Sequence, residues 1–334
     1  GALGISLQMS LSAQSQAAYE WVTRLAFMTP DNMTAFRQLA VLLPAARLAT
    51  TAVTAVGIPL VYLLARPLFG AIAALMAALL LAFDPFIAGL SGLHHVDGLL
   101  MTFTTLALLL LAQAVFRPGS SERRRRLTLT AAGVAAALGL LTKSPAVLIV
   151  PVAGLFIVIG GWGQAGGNGR AALRYWLQYG IIFGAAGVIT AVLLLPALWA
   201  GPAAVLSLTS ADAGRHLDSA LRPTFFMGAA DFDHGPLFYP VALAFRLSPV
   251  AFLGLLFGGG RLLWRRSAPR GPQTLTAVLL LLWSLLFIVG ISLAAKKFDR
   301  YLLPALPPLV LVAAVLWTGW LANGRQWQRW LLGG

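Results

Sequence analysis

The sequence predicts an all-α polytopic membrane protein, and three observations carry that prediction. Of its 334 residues, 59% are hydrophobic and only 10% are charged, where a soluble domain carries about 25% charged residues. The mean hydropathy is +0.83. The apolar residues are also gathered into runs close to the ~20 residues that a helix needs to cross a bilayer. They do not form the alternating segments of about ten residues that a membrane barrel would show.

Taken in order, the apolar spans lie at 41–64, 71–91, 97–116, 127–160, 176–199, 237–258, 274–294 and 302–321. The 127–160 run is too long for one helix and is interrupted by LTKSP (141–145), so it reads as two short helices. That makes a bundle of about eight to nine helices. An external N-terminal segment (1–40) precedes the transmembrane domain (41–321), which carries an external loop at 200–236. A cytoplasmic tail (322–334) follows.

Charge assigns the sides. Arg66, Arg117, the ERRRR run (122–126), Arg170, Arg174, Arg261, Arg265, Arg266, Arg270, Arg325 and Arg329 fall on alternate loops. They are 14 of the 21 arginines, joined by a single acid, Glu122. Short loops rich in arginine mark the cytoplasmic face. The other face holds all three lysines, all four histidines and nine of the ten acids. The alternation closes only if 127–160 crosses twice, which supports the break at LTKSP. Cytoplasmic loops therefore carry anchoring charge, and a reaction centre would face outward. The net charge of +14 has this topological explanation. No basic stripe is interleaved with stacking aromatics, so a nucleic-acid partner is not expected. The absence of cysteine excludes disulfides and thiolate metal sites.

Five polar features stand out on the outward side. Asp97 opens the 97–116 span beside His94 and His95. It reads either as a helix N-cap or as a base, a metal ligand or an orienter of a phosphate site. Lys143 lies in the LTKSP break, where it either snorkels to headgroups or meets a phosphate. The stretch AAKKFDR (294–300) with Tyr301 gathers Lys296, Lys297, Asp299 and Arg300. Such a basic cluster on the outer face runs against the positive-inside tendency, and an anionic ligand would account for it. Arg246 falls inside the 237–258 span, where an intramembrane arginine is paired with an acid or is functional. The 200–236 loop, with Asp212, Arg215, His216, Asp218, Arg222, Asp231, Asp233 and His234, is long enough to act as a lid.

Five stretches in order, VYLLARPLFG (61–70), LLLAFDPFIAGLSGLHHVDGLLMTF (79–103), GLLTKSPAVLIVP (139–151), FFMGAADFDHGPLFYPVALAFRLSPV (225–250) and KKFDRYLLPALPPLVLVAA (296–314), carry a resemblance. The chain resembles bacterial polyprenyl-phosphate-dependent glycosyltransferases of the GT-C class, related to protein O-mannosyltransferases and the lipid A aminoarabinose transferase. The likeness covers about residues 40–320. It implies a GT-C-like bundle in the bacterial plasma membrane, in contact with membrane lipids. Its active face is external, and it moves a sugar from a polyprenyl-phosphate donor to an acceptor that the sequence does not name. The resemblance implies that Lys143, Arg246, Lys296, Lys297, Arg300 and Tyr301 bind the donor phosphate. Asp97, which matches the family's second external acidic motif, is the catalytic candidate. His95, Asp233, His234 and Tyr239 are assigned to the acceptor or to a lid. No cofactor is named, and a divalent metal stays open.

One departure concerns the acidic pair that the family places in its first external loop. Residues 1–40 offer only Glu20 and Asp31, neither in a matching context. The expectation is that a first helix and its loop lie upstream of residue 1. The alternative is a non-catalytic accessory subunit that keeps the fold inside a larger membrane complex. A transporter fits less well, because polar groups gather on one side rather than at the midplane.

Overall fold

The computed structural model describes residues 32–93, 95–218, 223–264 and 271–332, with side chains described for 41–93, 95–211, 223–260 and 271–321. Six helices are long and apolar enough to cross a membrane, or up to eight when two bent pairs each count as one span. The chain is thus a multi-pass membrane protein, as its composition predicts. The calls on residues 1–31, including Glu20 and Asp31, lie outside the described residues, as do His94 and the side chains at 212–222.

The helices are α1 (Asn32–Phe69), α2 (Ala71–Ala82), α3 (Pro85–Ser91), α4 (Asp97–Phe116), α5 (Glu122–Thr142), α6 (Ile149–Ala165) and α7 (Gly169–Leu194). They continue with α8 (Pro202–Asp218), α9 (Phe238–Arg246), α10 (Pro249–Trp264), α11 (Pro272–Ser292) and α12 (Leu306–Leu332). Two short 3-10 segments, Ser144–Leu148 and Asp299–Ala305, introduce α6 and α12. α4 is the central helix, with 78% of its span buried, whereas α7 lies at the rim with 6%. α4 packs on α1, α5 and α6, and α12 packs on α2, α10 and α11. α5 meets α7 closely because Gly133 has no side chain: a Cβ there would lie 2.4 Å from the Phe183 carbonyl oxygen. Small residues let membrane helices approach in this way.

The split at LTKSP holds. Pro145 supplies no amide to continue α5, so the chain turns at Lys143, whose backbone is extended (φ −164°, ψ 137°). Other expectations change. The 71–91 span is two helices bent by 58°. Asp84 caps the second, accepting from the Phe86 and Ile87 amides at 3.0 and 2.9 Å. The 237–258 span is likewise a broken pair, bent by 111°. Leu247 is extended (ψ 133°), and Ser248 starts α10 by accepting from the Ala251 amide at 3.3 Å. Arg246 is therefore not inside a continuous helix: it ends α9. The loop at 200–236 contains α8 and a β-hairpin, β1 (Thr224–Phe226) and β2 (Ala229–Asp231), outside the helical bundle. Its two-residue turn has positive φ at both positions, Met227 (48°) and Gly228 (89°), as a type I′ hairpin requires. Helix also extends past the apolar stretches at both ends, from Asn32 and out to Leu332.

The 3-10 segment at Asp299–Ala305 is what places the basic cluster. Pro304 interrupts the α-helical amide ladder there. The carbonyls of Pro304 and Ala305 are taken instead by the Trp283 indole (3.0 Å) and the Ser284 hydroxyl (3.0 Å) of α11. Both side chains are fully buried, so the segment before α12 is held against the core.

Candidate functional site

The start of α4, the end of α5 and the 3-10 segment before α12 meet at one end of the bundle, and their polar side chains interlock. Asp97 is 3% exposed. It does not cap α4, whose N-cap is Val96 with no side-chain bond. Its carboxylate instead faces two cations: Lys143 Nζ lies 2.6 Å from Oδ1, and Arg300 Nε lies 3.4 Å from Oδ2. These residues are separated by up to 203 positions in the chain. The Lys143 ammonium also sits over the Tyr301 ring at 3.8 Å. Arg300 Nη1 is 3.3 Å from His95 Nε2. Its guanidinium lies over the Phe298 ring at 4.6 Å.

Two further pairs flank this centre. Lys297, 3% exposed, donates to the Asp233 carboxylate and to the Ala294 carbonyl. Arg246 pairs with Asp299 at 2.6 Å and lies over the Phe86 ring at 5.0 Å. The pairing that the sequence offers as one reading of Arg246 is thus present. Asp299 also receives the Arg300 amide at 2.8 Å, so one carboxylate ties the two arginines together. Among the described cations of the cluster, Lys296 faces no carboxylate; it lies 5.8 Å from the Phe298 ring.

A cavity of about 660 Å³ opens beside the cluster, walled by the hairpin (Thr224, Phe226), α9 (Phe238, Arg246) and Lys297–Asp299. Lys143 and Arg300 both meet Asp97, and none of the three lines this cavity. Of the 296–300 cluster only Lys297–Asp299 borders this cavity, and Asp97 is buried under its own cations. His234 Nε2 lies 2.6 Å from the Thr224 carbonyl, so this nitrogen carries the proton. The imidazole stacks on Phe238 (5.9 Å, 18°) and so pins the hairpin to α9. Tyr239 is fully buried behind Phe238.

Two pKa shifts follow from this packing. Burial pushes the Lys143 ammonium below the usual lysine range, and the Asp97 carboxylate opposes that shift. The hydrogen bond from Lys297, aided by the Gly235 amide, holds the Asp233 carboxyl below its ordinary 3.8. A depressed carboxyl stabilises the fold above its ordinary value and loses that contribution as pH falls through the folded value. Hairpin amide exchange should therefore stay slow from neutral pH down to about 4 and accelerate only in stronger acid. Asp233→Asn should lose that acid-dependent step while exchanging faster at neutral pH. An identical pH profile in both proteins would remove the latch.

Among the described residues, no three histidine, aspartate or glutamate side chains converge on one point. Asp97, Asp233 and Asp299 each face a cation. Sequence reading did not single out Phe86 and Phe298, the rings under the two arginines. Their only signal is position: Phe86 lies two residues after Asp84 at the start of α3, and Phe298 lies between Lys297 and Asp299 before a 3-10 segment.

Comparison with known proteins places this geometry. A family model described as dolichyl-phosphate-mannose-protein mannosyltransferase matches residues 33–168, which hold His95, Asp97 and Lys143. An undecaprenyl phosphate-alpha-4-amino-4-deoxy-L-arabinose arabinosyl transferase of Pseudomonas aeruginosa (strain LESB58) is 31% identical over 276 residues. The match takes in 80% of this chain and 44% of that protein. The transferase of the same name from P. aeruginosa PAO1 is 32% identical over 278 residues, with the same two coverages. The crystal structure of ArnT from Cupriavidus metallidurans bound to undecaprenyl phosphate superposes with a TM-score of 0.55 at 19% identity. It covers 81% of this chain and 46% of that one, a likeness of fold. The chain spans under half the length of the relatives it matches.

Proposed function

We propose that this chain belongs to the GT-C class of polyprenyl-phosphate-dependent membrane glycosyltransferases and that its polar end receives a sugar donor of that kind, a reading supported by the family match and the relatives. The sugar leaves a polyprenyl-phosphate carrier and passes, with inversion, to an acceptor at the external face of a bacterial plasma membrane. The observation that carries this reading is the gathering of Lys143, Lys296, Lys297, Arg246 and Arg300 at one end of a hydrophobic bundle, around three carboxylates.

The chemistry needs that excess. As the acceptor attacks the anomeric carbon, the bond from that carbon to the phosphate oxygen breaks, and negative charge builds on the departing carrier phosphate. Preorganised cations at that oxygen lower the barrier most when they require no reorganisation. Arg300 can present a planar fork to the phosphate and the lysines add point charge. Lys296, with no carboxylate before it among the described residues, is placed to meet a phosphate first. Both oxygens of Asp97 face cations, which supports a positioning role over proton removal. Asp233 and His234 fasten the hairpin that walls the cavity, through Lys297 and the Thr224 carbonyl, and the acceptor would enter there, whereas Tyr239 is buried behind Phe238 and does not face it.

The reading is tested by incubating the membrane-reconstituted protein with a polyprenyl-phosphate-linked sugar and a bacterial envelope extract as the source of acceptor, and measuring released polyprenyl phosphate. Release is expected. The absence of both release and binding of polyprenyl phosphate would overturn the reading and leave the accessory-subunit alternative. The facing of the site has its own test. With an impermeant thiol label on intact cells, Ser219→Cys should react and Ser121→Cys should be protected. The reverse pattern would place the site on the wrong side.

A further inference from the structure

At the far end of α5, about 30 Å from Lys143 along 21 residues of helix, the sequence reading sees only anchoring charge. The structure shows more order. The carboxylate of Glu122 is filled from within the protein. Oε1 accepts from Arg126 Nε (2.7 Å) and Gln178 Nε2 (3.3 Å), while Oε2 accepts from the Tyr179 hydroxyl (2.6 Å). Arg125 lies 3.7 Å away and donates to Gln164 of α6 at 2.9 Å. The one acid of this end therefore ties α5 to α7, and Arg125 ties α5 to α6.

That leaves Arg123, Arg124, Arg170 and Arg174 exposed, with no carboxylate in ion-pair range among the described residues. Each sits in the first two turns of its helix, where the helix dipole disfavours a cation. An outside anion would relieve both costs. The surroundings say what kind. Arg170, Arg174, Leu177 and Ile181 follow one another at intervals of four, three and four along α7, so they share a face. Leu177 is 57% and Ile181 66% exposed, and α7 is the least buried span. Beside them the exposed Trp162 stacks on Trp176 (6.3 Å, 16°). Such an aromatic belt marks the headgroup level of a bilayer.

We infer that this face is a binding site for an anionic glycerophospholipid of the phosphatidylglycerol type. Its phosphate lies on Arg170 and Arg174, Arg123 and Arg124 add positive charge at the same end of the bundle, and an acyl chain runs down Leu177 and Ile181. A zwitterionic headgroup brings an ammonium that these arginines repel.

The test reconstitutes the protein in mixed phosphatidylcholine–phosphatidylglycerol bilayers, extracts it gently and measures the lipids retained. Phosphatidylglycerol should be enriched over its share in the bilayer. R170A/R174A should weaken retention roughly thirtyfold, since each surface arginine is worth about 1 kcal/mol, or about fivefold. R123A/R124A should act in the same direction. None of the four makes a contact that folding depends on, and membrane yield checks this. Salt near 1 M, where the Debye length is about 3 Å, should abolish enrichment in the unmodified protein. Equal retention of both lipids, enrichment that survives high salt, or enrichment unchanged in both double variants would each overturn the site.

Discussion

Replacing Arg300 with alanine is expected to slow sugar transfer by about 10²–10³ while the protein still inserts and folds. The guanidinium lies over Phe298 and within reach of Asp97 and His95, so it is held in place before any donor arrives. Losing one preorganised stabiliser of a leaving phosphate costs about that factor. Arg300→Lys should restore only part of it, because an ammonium lacks the planar fork and cannot reach both Asp97 and a phosphate oxygen. An anchoring role predicts the opposite: lysine would substitute fully, and alanine would lower yield rather than turnover. The measurement is transfer from a polyprenyl-phosphate donor, normalised to folded protein in the membrane. Robust transfer that is indifferent to Arg300→Ala would end the assignment.

Asp97→Asn is expected to act through Lys143. Burial already pushes that ammonium down, and Asp97 opposes the shift. Without the carboxylate, Lys143 should release its proton at lower pH than in the unmodified protein. If charge on Lys143 is needed for transfer, the alkaline limb of the pH–rate profile should move toward neutral pH. Stability should fall too, because removing one partner of a buried pair leaves the other uncompensated, a loss of about 3 kcal/mol or more. Lys143→Met in the Asp97→Asn background separates the two effects. It should restore part of the stability, since only Arg300 is then left without the carboxylate, but not transfer. An alkaline limb that stays where it was would show that Asp97 does not govern this lysine. Rescue of transfer by the double variant would remove Lys143 from the reaction.

Much of this was legible in the chain. The 97–116 span begins and ends as read, at Asp97 and Phe116, and the LTKSP break separates α5 from the 3-10 segment before α6. The two bends were missed even though their signals were present. Asp84–Pro85 is a cap followed by a proline at the first helical position, and Ser248–Pro249 repeats the pattern. A hydropathy window averages over such pairs and reports one long apolar run. The Met227–Gly228 turn was hidden because only the glycine carries a turn signature.

The site divides along the same line. Which residue types gather on one face is a matter of composition and alternation, and it followed from the sequence. Which carboxylate meets which cation did not. Asp97 with Lys143 and Arg300, Asp233 with Lys297, and Asp299 with Arg246 are separated by 46 to 203 positions, and no local pattern encodes their distance. The sequence by itself determined a polytopic bundle, its alternating charge and the end at which the lysines gather, because transfer into a bilayer acts on each segment separately. Only the tertiary structure decided that Asp97 orients cations instead of capping a helix and that Glu122 is filled from within. Ion pairs in a weakly screened setting depend on ångström separations, which are set by how α4, α5, α7 and the 3-10 segment before α12 pack together.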